Sequence, residues 1–165
     1  MQFAERIFME NCKNIIENQK KINEYMEKYE FHTRKLLDCD IDDIEGHVDA
    51  RGEILSKIDS LHKKVLAECS ENSDEYFAYM NKCNRNELTG ECTEIFDLRQ
   101  QFNGMSARVK SMEPQIVERI QIERDRIMKK IKENNSGQNA KAAKFFTAGL
   151  ETGKNVYFPE NKRQI

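Results

Sequence analysis

The sequence contains few residues that build tight turns, and it has no apolar run long enough to span a membrane. Its 165 residues include two prolines and seven glycines, while 34% of the residues are charged. This composition favours long helices and leaves little room for a sheet with many turns. No stretch approaches the roughly 20 apolar residues that cross a bilayer, and the N-terminus lacks the apolar core of a signal peptide. We therefore expect a soluble cytoplasmic protein without membrane insertion.

The five cysteines are odd in number, and none of them belongs to a C-x-x-C pair. Scattered thiols of this kind favour reduced cysteines in a cytosolic protein over a disulfide framework. The cysteines are Cys12, Cys39, Cys69, Cys83 and Cys92.

Motifs for catalysis and for metal binding are also missing. The chain has no glycine-rich phosphate loop, no G-x-S-x-G and no H-E-x-x-H. Asp59 and His62 have the spacing found in di-metal four-helix proteins, but those proteins need a second copy and further inward glutamates. His47 and Cys69 could be recruited as ligands, yet no metal-like spacing connects them. We expect no enzymatic activity, no metal and no cofactor.

Charge is distributed unevenly along the chain, although the net charge is only −2. Residues 1–50 carry 7 basic and 12 acidic side chains, whereas residues 101–165 carry 13 and 7. A basic C-terminal third could bind nucleic acid, or it could pack against acidic helices. Glu118, Glu123 and Asp125 interrupt the basic run, so we favour helix packing and expect no nucleic-acid partner.

The helix on which the fold depends is predicted over residues 40–69, with Asp40 as its N-cap. Its apolar residues recur at intervals of three, four and seven, which places them on one helical stripe. Ile54 and Leu61 widen this stripe on one side. The stripe consists of Ile41, Ile44, Val48, Leu55, Ile58 and Val65.

Two polar residues, Arg51 and His62, occupy positions on that stripe. An unpaired buried guanidinium is very costly, so we expect Arg51 to form an ion pair with an acid of the first helix. A ligand-binding role for Arg51 is the alternative. His62 is expected to be hydrogen-bonded, and both residues can fix the helix register. The acids available on the first helix are Glu24, Glu27 and Glu30.

A first long helix is predicted over residues 3–37. The connection over residues 38–40 is very short, so the first two helices should form an antiparallel hairpin. A companion seam contains Cys12 and Met26, with Gln19 and Thr33 as its polar members. The main seam consists of Phe8, Ile15, Ile22, Tyr29 and Leu36, each seven residues apart.

A short helix should follow, because Asn72 and Glu75 resemble a capping box. It carries Tyr76, Phe77, Met80 and Cys83, ends near Gly90, and is expected to cover one end of the bundle.

A further long helix has the most regular apolar repeat in the chain. Pro114 falls on its outward face, which favours a kinked continuous helix over a break. Beyond Ile116 the repeat shifts: Arg119 and Glu123 take the old seam positions, and a new apolar stripe begins. Either the helix unwinds there, or this half faces something other than the first two helices. The repeat consists of Ile95, Leu98, Phe102, Met105, Val109, Met112 and Ile116.

The last helix is predicted to end in the polar stretch that begins at Asn134, with Gly137 as its C-terminal signal. The predicted fold is therefore all-α: an elongated antiparallel bundle of three long helices and a short helix over residues 1–135. An aromatic and basic tail over residues 136–165 either folds back on the bundle or binds a partner.

Several segments together resemble the FlgN/FliT-like flagellar export chaperones. The second helix reads DIDDIEGHVDARGEILSKIDSL, and the last long helix contains ERIQIERDRIMKKIKE. The chain continues with NAKAAKFF and a tail that contains VYFPENKR. In that family similar apolar spacing recurs in the second helix, a Glu–Arg-rich stretch lies in the last helix, and the tail is aromatic and basic.

The resemblance implies a bacterial cytosolic chaperone of type III protein export. Such proteins bind the amphipathic C-terminal helices of hook-associated or filament-cap subunits and escort them to the export apparatus. A helix-in-groove mode needs an apolar groove and no catalytic residues. The alternative is a structural coiled-coil protein that self-associates as a homodimer and has no client. The predicted partner-binding residues are Ile120, Ile127, Met128, Ile131, Phe145, Phe146, Leu150, Tyr157 and Phe158.

Overall fold

The structure is a computed structural model that describes residues 2–69 and 71–151, and the side chains of these residues except 2–8, 142–143 and 145–151. The described residues form helices and no strand, so the all-α prediction is confirmed. The helices are α1 (Gln2–Lys35), α2 (Ile44–Glu68), α3 (Asp74–Tyr79) and α4 (Glu91–Glu151). Short 3-10 turns cover Ile41–Asp43 and Arg85–Glu87. The chain divides into two compact units, Met1–Arg119 and Ile120–Ile165.

Helix α1 contributes one buried stripe to the core of the first unit. The predicted seam residues Ile15, Ile22 and Leu36 are fully buried, as expected from a single apolar heptad stripe between polar faces. The polar members of the companion seam are buried too. Gln19 donates a 2.7 Å hydrogen bond to Asn23, and Thr33 donates one of the same length to the Tyr29 carbonyl. These bonds partly offset the cost of burying polar groups.

Contacts between side chains define the directions of the long helices. Tyr29 contacts Arg51 and His32 contacts His47, so residue numbers rise on α1 as they fall on α2. The predicted antiparallel hairpin is therefore confirmed. The part of α4 before residue 120 runs parallel to α1, because Lys20 pairs with Glu94 and Glu30 pairs with Arg108.

The buried stripe of α2 agrees with the predicted one only in part, at Ile58 and Val65. Ile54, Ile58 and Val65 are buried, whereas Ile41, Val48 and Leu55 are more than 40% exposed. Both edges of α2 are apolar, so hydropathy alone does not show which edge faces α1. Packing against α1 selects the edge that contains Ile54, and the other edge remains at the surface.

The beginning of α2 and all of α3 also differ in detail from the prediction. Asp40 precedes the 3-10 turn with an extended backbone but makes no capping hydrogen bond, and the α-helix begins at Ile44. The N-cap of α3 is Ser73, whose hydroxyl accepts a 3.2 Å bond from the Tyr76 N–H. The predicted cap, Asn72, instead has a φ of +61°. This left-handed conformation suits an asparagine in a turn.

Helix α3 closes one end of the core. It ends at Tyr79, earlier than predicted, because Asn81 has a φ of +51° and donates from its side chain to the Ala78 carbonyl. Tyr79 and Ala78 are fully buried against the core of the bundle. The predicted cover over the bundle end is therefore present, with the buried Tyr79 at its centre.

Helix α4 is longer than predicted. Pro114 lies inside the helix with an exposed side chain, which confirms the prediction of a continuous helix at this point. Its predicted seam is buried at Ile95, Met105, Val109 and Ile116. The prediction that the helix ends near Gly137 is wrong, because α4 continues to Glu151.

A helical glycine costs only about 1 kcal/mol relative to alanine, and the residues that follow Gly137 include good helix formers. The predicted domain boundary at residues 135 and 136 therefore falls inside α4. A separate tail domain stays a prediction.

Candidate partner-binding surface

The second unit carries a row of exposed apolar side chains on α4. Ile120, Ile127 and Ile131 are seven and four residues apart, so they lie on one face of the helix. Met128 adjoins Ile127 and widens the row. These four residues, which we call the α4 stripe, are 38%, 42%, 49% and 47% exposed in chain order. Apolar side chains exposed in a continuous row are typical of an interaction surface.

A polar residue ends the core seam just before the α4 stripe begins. Ile116 is the last buried residue of that seam. At the next seam position Arg119 donates a 2.6 Å bond to the Leu36 carbonyl and a second bond to the Cys39 carbonyl. Both carbonyls lie just beyond the end of α1, where main-chain acceptors lack helical partners, so the guanidinium satisfies groups that otherwise need water. The predicted shift of register thus coincides with a capping contact at the hairpin.

The charges around the α4 stripe are mostly basic and weakly paired. The ion pairs of Arg126 with Glu123 and of Lys129 with Glu133 are long, at 3.9 and 4.0 Å, and both of their cations are largely exposed to solvent. Pairs of this kind contribute little stability. Lys130 and Lys132 have no ion pair with any described residue. An acidic partner could therefore pair with these lysines at little cost to existing contacts.

The remaining predicted partner-binding residues are not brought together by the described structure. The backbone of α4 includes Phe145, Phe146 and Leu150, but their side chains lie outside the described set. Tyr157 and Phe158 lie outside the described residues altogether. The described part of the predicted site is therefore the α4 stripe.

Arg51 forms a different ion pair from the one that we predicted. It donates to Glu113 of α4 and makes a 2.8 Å bond to the Tyr29 hydroxyl, with its guanidinium over the Tyr29 ring. The predicted partners on α1 are wrong because α4, and not α1, supplies the acid at this level of the bundle. Glu30 instead binds Arg108 and Arg34, and the hydrogen bond from Arg108 lowers the pKa of Glu30 to about 2.

Two histidine contacts join elements of the first unit. His62 is hydrogen-bonded as predicted, with 2.5 Å between its Nδ1 and the Tyr79 hydroxyl. His32 and His47 face each other across the hairpin, with 2.9 Å between their Nδ1 atoms. Sequence reasoning missed this pair, although the antiparallel register that joins Tyr29 to Arg51 would also have placed His32 opposite His47.

The buried thiols are poorly suited to nucleophilic chemistry. Burial raises the pKa of Cys12 to about 12 and that of Cys69 to about 11, so both stay protonated near neutral pH. All five cysteines are free, as expected. Among residues 2–69 and 71–151, no three His, Cys, Asp or Glu side chains lie close enough to hold a metal ion. Within the same residues, no helix is long and apolar enough to span a membrane.

Comparisons of this chain with protein-family models, with curated proteins and with solved structures give no match.

Proposed function

We propose that this protein binds an amphipathic helix of another protein and that the α4 stripe is the docking surface. In line with its resemblance, we propose that it is a cytosolic export chaperone whose clients are exported flagellar subunits. The observation that carries this proposal is the face of α4 on which Ile120, Ile127 and Ile131 are 38–47% exposed. A helical client can cover such a face by inserting its own apolar residues.

The size of the α4 stripe sets how much of the binding it can supply. Full burial of an isoleucine or methionine side chain contributes about 1.5–3 kcal/mol, and roughly half of each side chain is already covered. The four residues together can then supply about 4 kcal/mol. Because association costs at least about 4 kcal/mol, the stripe alone gives weak binding. We therefore expect further contacts, including ion pairs from Lys130 and Lys132 to acids on the client helix.

The proposal is tested by placing charges on the α4 stripe. We expect the double variant Ile127→Asp with Ile131→Asp to lose binding to synthetic C-terminal helices of hook-associated or filament-cap subunits. Binding is measured by isothermal titration, and far-ultraviolet circular dichroism checks that the helix content is retained. A matched control is Ile122→Asp, because Ile122 is 58% exposed on the opposite face of α4. Undiminished binding by the double variant, or an equal loss in the control, contradicts the proposed surface.

The second candidate function is self-association through the same stripe. If two copies of α4 pack antiparallel, Ile120 of one copy meets Ile131 of the other. Glu123 then lies beside Lys130 of the second copy, which is the charge pairing that favours such a dimer. Sedimentation equilibrium over a range of concentrations distinguishes the two functions. A tight dimer that dissociates in Lys130→Glu supports self-association, and a monomer that binds the client helix supports the chaperone proposal.

A further inference from the structure

Arg99 of α4 has an unusual environment for a half-buried cation. Its guanidinium lies over the ring of Tyr79, 4.9 Å from the ring centroid, and over the ring of Phe102 at 4.5 Å. Burial is the main cause that lowers the pKa of Arg99 from its usual value. Aromatic faces attract a cation. The five N–H donors of the guanidinium point outward in its own plane, and a ring face does not accept hydrogen bonds from them.

The other arginines with described side chains in the first unit all donate to an oxygen. Arg34 and Arg108 bind Glu30, and Arg85 binds Asp97. Arg51 binds Glu113, and Arg119 binds main-chain carbonyls. Among these described side chains, Arg99 alone has no oxygen acceptor.

The Arg99 residue is only partly buried. Buried nitrogens without a partner are found in this unit, as at the Nε atom of Arg51, but none of them belongs to Arg99. A guanidinium that contacts two aromatic rings and has no oxygen acceptor keeps its N–H donors available for a planar group with two oxygens.

His62 contacts the same tyrosine as Arg99 and is the second candidate donor. The rings of His62 and Tyr79 stack with centroids 5.4 Å apart. Burial, followed by the charge of Arg99, lowers the pKa of His62. Tyr79 keeps its proton, because burial raises its pKa to about 12, so its hydroxyl can donate to Nδ1 of His62. A neutral imidazole that accepts at Nδ1 carries its proton on Nε2. After burial and Arg99, which lower the pKa of His62, the nearby carboxylate of Asp59 acts in the opposite direction and raises it. Burial lowers the pKa of Arg99, and Tyr79 acts in the opposite direction.

We propose that Arg99 and His62 form a binding site for an oxyanion, either a carboxylate or a phosphate group. The site lies where α2, the end of α3 and the first part of α4 meet, within the first unit. Arg99 presents its N–H edge to two oxygens, and Nε2 of His62 donates to one of them. The α4 stripe belongs to the second unit, so this site does not depend on the proposed helix-binding function.

The site is tested by nuclear magnetic resonance on the full chain at constant pH and ionic strength. Inorganic phosphate and acetate are titrated separately, and the side-chain N–H signal of Arg99 and the ring signals of His62 are followed. We expect saturable shifts with a dissociation constant on the order of 1 mM. Saturation by phosphate alone assigns a phosphate group, and saturation by acetate alone assigns a carboxylate. Saturation by both supports a general oxyanion site.

Variants distinguish this site from unspecific ion effects. Arg99→Gln should weaken binding about tenfold or more, because a charged hydrogen-bond donor is lost. Arg85→Gln is the matched control, because Arg85 is an exposed arginine that is already paired with Asp97. This variant should bind the anions with the affinity of the wild type. Arg99→Lys retains the charge without the planar fork and should bind several-fold more weakly than the wild type. Shifts that stay linear in both anions, or saturation that persists unchanged in Arg99→Gln, overturn the proposal.

Discussion

The ion-pair cluster at Glu30 allows a quantitative prediction about stability and pH. The Glu30 carboxylate accepts from Nε and Nη2 of Arg108 at 2.8 and 2.9 Å and from Arg34 at 2.7 Å. Its pKa is lowered from 4.5 to about 2, chiefly by the hydrogen bond from Arg108. Since one pKa unit equals about 1.4 kcal/mol, this lowering corresponds to roughly 3 kcal/mol of stability.

Solvent screening reduces this figure. The Glu30 side chain is only 9% exposed, but those of Arg34 and Arg108 are 63% and 54% exposed. We therefore expect Glu30→Gln to lower the free energy of unfolding by about 2 kcal/mol near pH 7. The arginines left without Glu30 can be hydrated, so their cost in the variant is small.

The pH dependence separates the electrostatic contribution of Glu30 from a contribution of packing. Because the folded pKa of Glu30 lies below the unfolded one, the unfolded chain binds the proton first as the pH falls. The stabilisation is complete above about pH 4.5 and is lost as the pH falls towards about 2. The difference between the wild type and Glu30→Gln should therefore shrink over this interval. Urea denaturation followed by circular dichroism at several pH values measures it.

A suitable control is Glu27→Gln, because Glu27 is an exposed acid on the same helix. We expect this control to change the free energy of unfolding by less than about 0.5 kcal/mol. A loss in Glu30→Gln no larger than in the control refutes the reasoning. A larger loss that stays constant from neutral to acid pH refutes the electrostatic explanation and leaves packing as the cause.

Two further predictions concern α2 and the histidine pair. Ile58→Ala should lower the free energy of unfolding by about 2–4 kcal/mol, whereas Leu55→Ala should cost less than about 1 kcal/mol, because Ile58 is 5% exposed and Leu55 is 46% exposed. If urea denaturation gave equal losses of unfolding free energy for the two variants, Leu55 would be as buried as Ile58, as the sequence predicts. Burial, followed by the charge of His47, lowers the pKa of His32, so the unfolded chain gains a proton first and stability falls as the pH drops below about 6.5. His47→Gln should reduce that fall, and an unchanged slope of unfolding free energy against pH would exclude the pair as its source.

The features that sequence reasoning predicted correctly share one physical property. The seams of α1 and of the first part of α4 are single apolar stripes between polar faces, so only one face of each helix can be buried. The predicted connection over residues 38–40 is short and favours a hairpin, and the hairpin forms although α1 ends at Lys35 and α2 begins only at Ile44. Pro114 was placed correctly because its outward position leaves the register of the apolar repeat intact.

The predictions that failed concern choices between local alternatives of similar energy. On α2 either apolar edge could be buried, and contact with α1 selected the edge with Ile54. At the start of α3 both Asn72 and Ser73 are good caps, and the left-handed backbone of Asn72 left the capping position to Ser73. At Gly137 the expected helix end depended on about 1 kcal/mol of propensity, which was too little to stop α4.

The sequence by itself determined an all-α chain with two narrow helical seams. It also determined that the apolar repeat of α4 shifts to a new helical face after Ile116. Periodicity and composition carry that information because each acts along a single helix. Only the tertiary structure decided that Arg51 pairs with Glu113, that His32 meets His47 and that Arg99 has aromatic neighbours without an acid. Such contacts join residues of different elements, and their partners depend on the rotation and direction of each helix, which local sequence does not encode.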